Sequence, residues 1–148
     1  MKRILSLDVG KRRIGIAISA PLNLFTKGLP TIRRSPESEA IKTIAKAIKE
    51  YDAGSIVVGL PLNMDGTTGE QAEDVKGFIE RLTEQINIDI IFQDERLTSF
   101  SAEELLIEQG ISPSKNKGLI DQKAAEIILE EYLNSLNKRK EAENEQRE

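Results

Sequence analysis

The chain is 148 residues long, 39% hydrophobic and 31% charged, which is the size and balance of one soluble domain with a true core. It contains no cysteine and no histidine, so disulfides, thiolate nucleophiles, Cys- or His-based zinc sites and histidine general bases are all excluded. Any chemistry falls to carboxylates, lysine, arginine, hydroxyls and backbone amides, and oxygen-only ligands favour hard cations such as Mg²⁺ or Mn²⁺. The net charge is −4, but residues 1–34 hold eight Lys or Arg against one Asp, a local basic region able to meet a phosphate-bearing partner.

The start, Met1-Lys2-Arg3-Ile4-Leu5-Ser6-Leu7-Asp8, has too short an apolar stretch for a signal peptide, and no run approaches a membrane span, so a cytoplasmic protein is expected. Residues 4–9 read as a strand that ends at Asp8 or Val9. A turn at Gly10-Lys11-Arg12 leads into a second strand, residues 13–19, as a hairpin. A loop over 21–27 precedes a third, more polar strand at 28–34. Ser35 as N-cap and Pro36 at the first helical position predict a helix whose stripe is Ile41, Ile44, Ala45 and Ile48.

Residues 55–60 are apolar and rich in β-branched side chains, as in a central strand. Thr68 and Gln71 form a capping-box pattern ahead of a helix with Ala72, Val75, Ile79, Leu82 and Ile86 inward. Residues 88–92 are the next strand, and a helix beginning near Ser99 stops at Gly110. A Ser-, Lys- and Asn-rich loop over 111–118 leads to a last helix with Ile120, Ala124, Ile127, Ile128 and Leu133 inward. From about Asn137 the chain is charged and without an apolar stripe, so residues 137–148 are expected to form a frayed or disordered tail beyond a single domain, 1–136. Three antiparallel strands followed by βαβ units predict an α/β fold: a mixed five-stranded sheet with helices on both faces.

Three loci stand out. Asp8 ends an apolar strand, where a carboxylate is a costly neighbour for a core; it could equally bond turn amides. Asp121, in Ile120-Asp121-Gln122-Lys123-Ala124-Ala125, is explained by the helix dipole unless the small alanines bring the helix close to the sheet and Asp121 toward Asp8. In Asp94-Glu95-Arg96, after a strand, alternation sends the two acids to opposite sides, so one faces the strand-end site. The loop Gly59-Leu60-Pro61-Leu62-Asn63-Met64-Asp65-Gly66-Thr67-Thr68-Gly69 can present amides and hydroxyls to phosphate but lacks a Walker ending. Together, three end-of-element carboxylates, a basic region and no His or Cys suit cation-assisted phosphodiester hydrolysis.

These segments resemble the YqgF (RuvX-type) family, known as pre-16S rRNA nucleases and as Holliday-junction resolvases. The matching stretches are Leu7-Asp8-Val9-Gly10-Lys11-Arg12-Arg13-Ile14-Gly15-Ile16-Ala17, Val58-Gly59-Leu60-Pro61-Leu62-Asn63-Met64-Asp65-Gly66-Thr67, Asp94-Glu95-Arg96-Leu97-Thr98-Ser99 and Ile120-Asp121-Gln122-Lys123-Ala124-Ala125. The resemblance spans residues 4 to about 136. It implies a ribonuclease H-like fold and a catalytic, metal-holding triad of Asp8, Glu95 and Asp121 with Mg²⁺ or Mn²⁺. It further implies hydrolysis of nucleic acid, with maturation of the 16S rRNA 5′ end favoured over a branched DNA junction. Charge adds Lys11, Arg12 and Arg96 as phosphate-holding residues, with Asn63 and Thr67 as substrate contacts. Relatives commonly carry an aspartate after the serine that ends strand two; here Ala20 follows Ser19, which touches only a peripheral acidic contact.

Two other readings compete. Asp8-Val9-Gly10 followed by Gly15 also resembles the phosphate hairpin of the actin and sugar-kinase superfold, which normally closes a second domain over its nucleotide and has no room to do so in 148 residues. A non-catalytic ribosome-assembly factor, associated with ribosomal particles, is compatible with the same residues. No aromatic stacking platform is visible among Phe25, Phe78, Phe92, Phe100, Tyr51 and Tyr132, so recognition through phosphates and shape is expected. A resolvase would act as a symmetric homodimer, and an RNA-processing enzyme could act as a monomer.

Overall fold

The computed structural model describes residues 2–23, 25–95 and 98–147. Five strands form one mixed sheet in the order β3-β2-β1-β4-β5. Strand β1 (Arg3–Val9) pairs antiparallel with β2 (Arg13–Ser19), which pairs antiparallel with β3 (Thr26–Arg33). On the other side β1 pairs parallel with β4 (Ala53–Leu60), and β4 with β5 (Asp89–Asp94). The hairpin closes tightly, with Gly10 N–H donating to the Arg13 carbonyl at 2.8 Å.

Strand alternation divides the side chains between two cores. Leu5, Leu7 and Val9 of β1 join Ile14, Ile16 and Ile18 of β2 in the larger core. Helices α1 (Glu37–Glu50) and α2 (Glu70–Gln85) cover it with Ile41, Ile44, Val75, Phe78, Ile79 and Leu82. On the opposite face Ile4, Ala17 and Val57 pack against Ala125, Ile128, Leu129 and Leu133 of α4 (Lys117–Arg147). Short side chains let α4 lie close to the sheet: a Cβ at Gly15 would collide with the Asp121 backbone carbonyl, and one at Gly59 would stand 2.5 Å from Ile128 Cδ1. The helix is also bonded down, by Ser6 Oγ to the Ala125 carbonyl at 2.7 Å and Gln122 Nε2 to the Leu29 carbonyl at 2.8 Å.

Helix α3 (Thr98–Glu108) ends as its glycine requires. Gly110 has φ +77, Ile111 N–H donates to the Leu106 carbonyl at 2.9 Å and Gly110 N–H to the Ile107 carbonyl at 3.0 Å, the paired bonds of a Schellman stop.

Three local expectations are corrected. Helix α1 is capped by Pro36 and α2 by Gly69, in neither case with a side-chain hydrogen bond, so Ser35 does not cap and Thr68 with Gln71 forms no capping box. The backbone turns one residue later than the propensity pattern suggests, and Gly69 packs against Asn63, whose Oδ1 would be 2.8 Å from a Cβ there. The loop over 111–118 contains a single 3-10 turn, Pro113–Lys115, and α4 already begins at Lys117. The charged residues beyond Asn137 continue α4 to Arg147 instead of fraying. Residues 138–145 are exposed, but Lys, Arg, Glu, Ala and Gln are strong helix formers and opposite charges recur three and four residues apart.

Candidate active site

Asp8 sits at the C-terminal end of β1, opposite Gly15 of β2. It shares the α4 face with Ile4 and Ser6, because the period of a strand is two. The lack of a side chain at Gly15 lets α4 descend there, and this descent brings Asp121, in the second turn of α4, to Asp8. The condition on which the role of Asp121 depended is therefore met: Ala124 and Ala125 are 1% and 0% exposed. No described residue donates a hydrogen bond to the Asp8 carboxylate. Burial first, and the neighbouring Asp121 charge second, push its pKa up from 3.8 to about 7. A carboxylate with no donor, beside a second carboxylate, is an electrostatic deficit that a cation would fill.

Asp121 has its own counter-ion. Arg13 Nε donates to Asp121 Oδ2 at 2.6 Å, with the two side chains 37% and 19% exposed. Arg13 lies two residues from Gly15 on the same face of β2, a period-two signal that could have singled it out beforehand.

Glu95 follows β5, and its N–H donates to the Leu60 carbonyl at 3.0 Å, extending the parallel pairing past the strand end. It lies on the α4 face as alternation requires, and Asp94 on the other. Its carboxylate is engaged away from Asp8: Gln93 Nε2 donates to Glu95 Oε1 at 2.8 Å. Burial, helped by a hydrogen bond shared with Glu131 and opposed by the Gln93 bond, pushes the Glu95 pKa up to about 8. Among the described residues no three carboxylates come close enough to hold a metal together. The structure thus pairs Asp8 with Asp121 and leaves Glu95 across β4, with its Cγ 3.2 Å from where a Gly59 Cβ would be.

The basic residues divide. Lys11 and Arg12 are exposed in the turn after Asp8, while Arg96 lies outside the described residues. Asn63 and Thr67 bond to each other, Asn63 Nδ2 to Thr67 Oγ1 at 3.0 Å, in an exposed loop braced by Asp65 Oδ1, which accepts from Thr67 N at 2.9 Å. That loop leaves β4 at the same end of the sheet as Asp8. Arg34 was not anticipated. It is 9% exposed, holds Asp74 with both amino groups at 2.6 and 2.9 Å, donates to the Gly10 carbonyl at 3.1 Å and stacks 5.3 Å from the Phe78 ring centre. It ties the turn after Asp8 to α2; no pattern in the sequence marks a strand-end arginine as buried.

The sheet order, the helix pair on one face and the carboxylates at strand ends define a ribonuclease H-like α/β domain. A viral relative in fold, the Fowlpox virus resolvase in complex with Holliday-junction DNA, superposes with a TM-score of 0.56 over 90% of this chain and 98% of that one, at 14% identity. T. thermophilus RuvC with a Holliday-junction substrate gives 0.53, covering 86% and 92%, also at 14% identity. At these identities the likeness shows the fold alone. The sequence goes further: the family model RuvX, described as Holliday junction resolvase, matches residues 2–135, and the chain belongs to that family, also called YqgF. A Clostridium acetobutylicum protein named "Putative pre-16S rRNA nuclease" is 46% identical over 134 residues, 90% of this chain and 99% of its own. A Roseiflexus protein of the same name is 45% identical over 133 residues, covering 90% and 94%.

Proposed function

We propose that the chain is a divalent-cation-dependent nuclease that hydrolyses nucleic-acid phosphodiesters, with the 5′ end of pre-16S rRNA as its substrate in the cytoplasm. The observation that carries this reading is the Asp8–Asp121 pair, in which no described residue donates to the Asp8 carboxylate and its pKa is raised by burial and by its neighbour. The names carried by relatives at about 46% identity over nearly their whole length point to the same substrate.

Two carboxylates with hard oxygen donors fit Mg²⁺ or Mn²⁺, which bind through one or two carboxylates and complete their shell with water and phosphate oxygens. Asp8 and Asp121 would hold the cation, with Glu95 as the third carboxylate, reached over the gap at Gly59. Bound there, a cation supplies charge neutralisation at the scissile phosphate and activation of water. The chain's own residues do the rest. Arg34 fixes the turn that follows Asp8. Lys11, Arg12 and Arg96 attract the backbone phosphates, and Asn63 and Thr67 offer hydrogen bonds from the loop after β4. Gln93 and Glu131 hold the Glu95 carboxyl in its resting position, and both bonds would have to give way for Glu95 to join the pair.

The test is cleavage of an RNA spanning the 5′ boundary of 16S rRNA and of a four-way DNA junction, with Mn²⁺, Mg²⁺ or chelator, beside Asp8→Asn. Metal-dependent cutting of the RNA, absent in the variant, supports the proposal. Paired symmetric cuts in the junction alone would move the assignment to a dimeric resolvase. If neither is cut, even within ribosomal particles, the chain acts as a non-catalytic assembly factor and the proposal fails.

A further inference from the structure

Asp121 forms part of the wall of a cleft of about 500 Å³, a size typical of ligand sites. Arg13 of β2, Glu103 of α3, and Ser114, Lys117 and Ile120 around the start of α4 line it with Asp121. Arg13 uses only Nε toward Asp121. No described residue accepts from its two amino groups, so four of its five N–H bonds are left for another acceptor. Lys117 is exposed and forms no ion pair with any described residue. Two cations with unused donors thus border a cleft whose wall is one of the two proposed metal-holding carboxylates, and Ile120 adds an apolar surface against which a ribose can lie.

We propose that this cleft is the subsite for the nucleic-acid phosphate next to the cleaved one, with Arg13 and Lys117 as its ligands, and that Arg13 passes from Asp121 to this phosphate when a cation binds. The inference rests on the nuclease reading for the identity of the cation site. Its physical basis is competition for one carboxylate. In the cation-free protein Arg13 is the counter-ion of Asp121; a divalent cation takes over that charge and releases a guanidinium already inside the cleft. Arg13 suits this exchange because its planar fork matches phosphate oxygens as well as a carboxylate. Cation and nucleic acid then bind with positive coupling, and by linkage each strengthens the other equally.

The exchange makes opposite demands on one residue, which a merely structural arginine would not meet. Mn²⁺ affinity is measured by calorimetry without nucleic acid, and binding of a fluorescent single-stranded RNA 12-mer by anisotropy across a salt series, in Ca²⁺ and in chelator. The proteins are wild type, Arg13→Ala, Arg13→Lys, Lys117→Ala and, as control, Lys46→Ala on the opposite face of the sheet. Arg13→Ala should bind Mn²⁺ about tenfold more tightly, within the usual range of coupling between sites. It should bind RNA about tenfold more weakly in Ca²⁺, yet almost normally in chelator, where the Asp121 carboxylate cancels the charge of the wild-type guanidinium and holds it back from the phosphate. Arg13→Ala in Ca²⁺, and Lys117→Ala in either condition, should each lower the slope of log affinity against log salt by about 0.7, the value for one phosphate contact on a single strand. Arg13→Lys should keep the salt slope, since it keeps the charge.

Unchanged or weaker Mn²⁺ binding by Arg13→Ala, or an equal loss of RNA affinity with and without cation, overturns the exchange. Lys117→Ala indistinguishable from Lys46→Ala overturns the subsite. The two readings fail separately: RNA cut normally by Arg13→Ala and Lys117→Ala leaves a nuclease without this subsite, and the predicted binding pattern in a protein that never cuts leaves the subsite without the nuclease.

Discussion

Replacing Asp8 by asparagine tests the site without a substrate. The Asp8 carboxyl pKa rises from 3.8 to about 7 on folding. A raised carboxyl pKa means that the folded state holds the proton more tightly, so this group favours the fold below the unfolded pKa and progressively opposes it as pH climbs through about 7. A gap of about three units corresponds to about 4 kcal/mol once both states are ionised. Asparagine removes that opposition. Urea denaturation in chelator should therefore find Asp8→Asn more stable than wild type by about 4 kcal/mol at pH 8.5, and by under about 1 kcal/mol at pH 4. The gain at pH 8.5 corresponds to a Tm rise of about 10 °C for a chain of this length. Adding Mn²⁺ at a hundredfold excess over Kd stabilises only the binding-competent protein, by about 2.7 kcal/mol, and should narrow the gap at pH 8.5 to about 1–2 kcal/mol. A difference between the proteins that is the same at both pH values, or a loss of stability at pH 8.5, would show that the Asp8 carboxylate is satisfied by the fold and would refute the electrostatic argument for a cation site.

Other substitutions probe the supports of the site. Arg34→Met should cost about 2–3 kcal/mol by denaturation, because it strands Asp74 and the Gly10 carbonyl; Arg34→Lys should recover only part, since one ammonium cannot hold both Asp74 oxygens. Arg34 lowers the Asp74 pKa, so this contribution is present above the ordinary carboxylate pKa of 3.8 and should fade in titrations as pH falls through the lower folded value. Gly15→Ala should cost about 3 kcal/mol or prevent folding, since a Cβ there meets the backbone of Asp121. Gly59→Ala, which meets the movable end of Ile128, should cost about 1–2 kcal/mol by denaturation. Deleting residues 138–148 should remove helical ellipticity while changing stability by less than about 0.5 kcal/mol, because residues 138–145 are exposed.

Periodicity carried most of the fold. Alternation in 4–9 and 13–19, the apolar run at 55–60 and the stripe through Val75, Ile79 and Leu82 are local signals, each readable because one face of each element must leave water. Asp8 was legible for the same reason, as a charge ending a strand that is otherwise apolar. The Gly110 stop was legible because a left-handed backbone needs no partner elsewhere in the chain. The sequence by itself therefore determined the elements, their faces, the absence of histidine and thiol chemistry, and the family motifs that single out Asp8, Glu95 and Asp121. Tertiary structure alone decided which charges meet. Arg13 reaches Asp121 across 108 positions because α4 crosses β2 at Gly15, and Arg34 is buried because α2 carries Asp74 and Phe78 to it. Glu95 is drawn to Gln93 and Glu131 instead of Asp8, and the charged residues after Asn137 stay helical. Each of these depends on the depth and register at which one element settles on another, quantities set by packing across the sheet and not written in the period of any single segment.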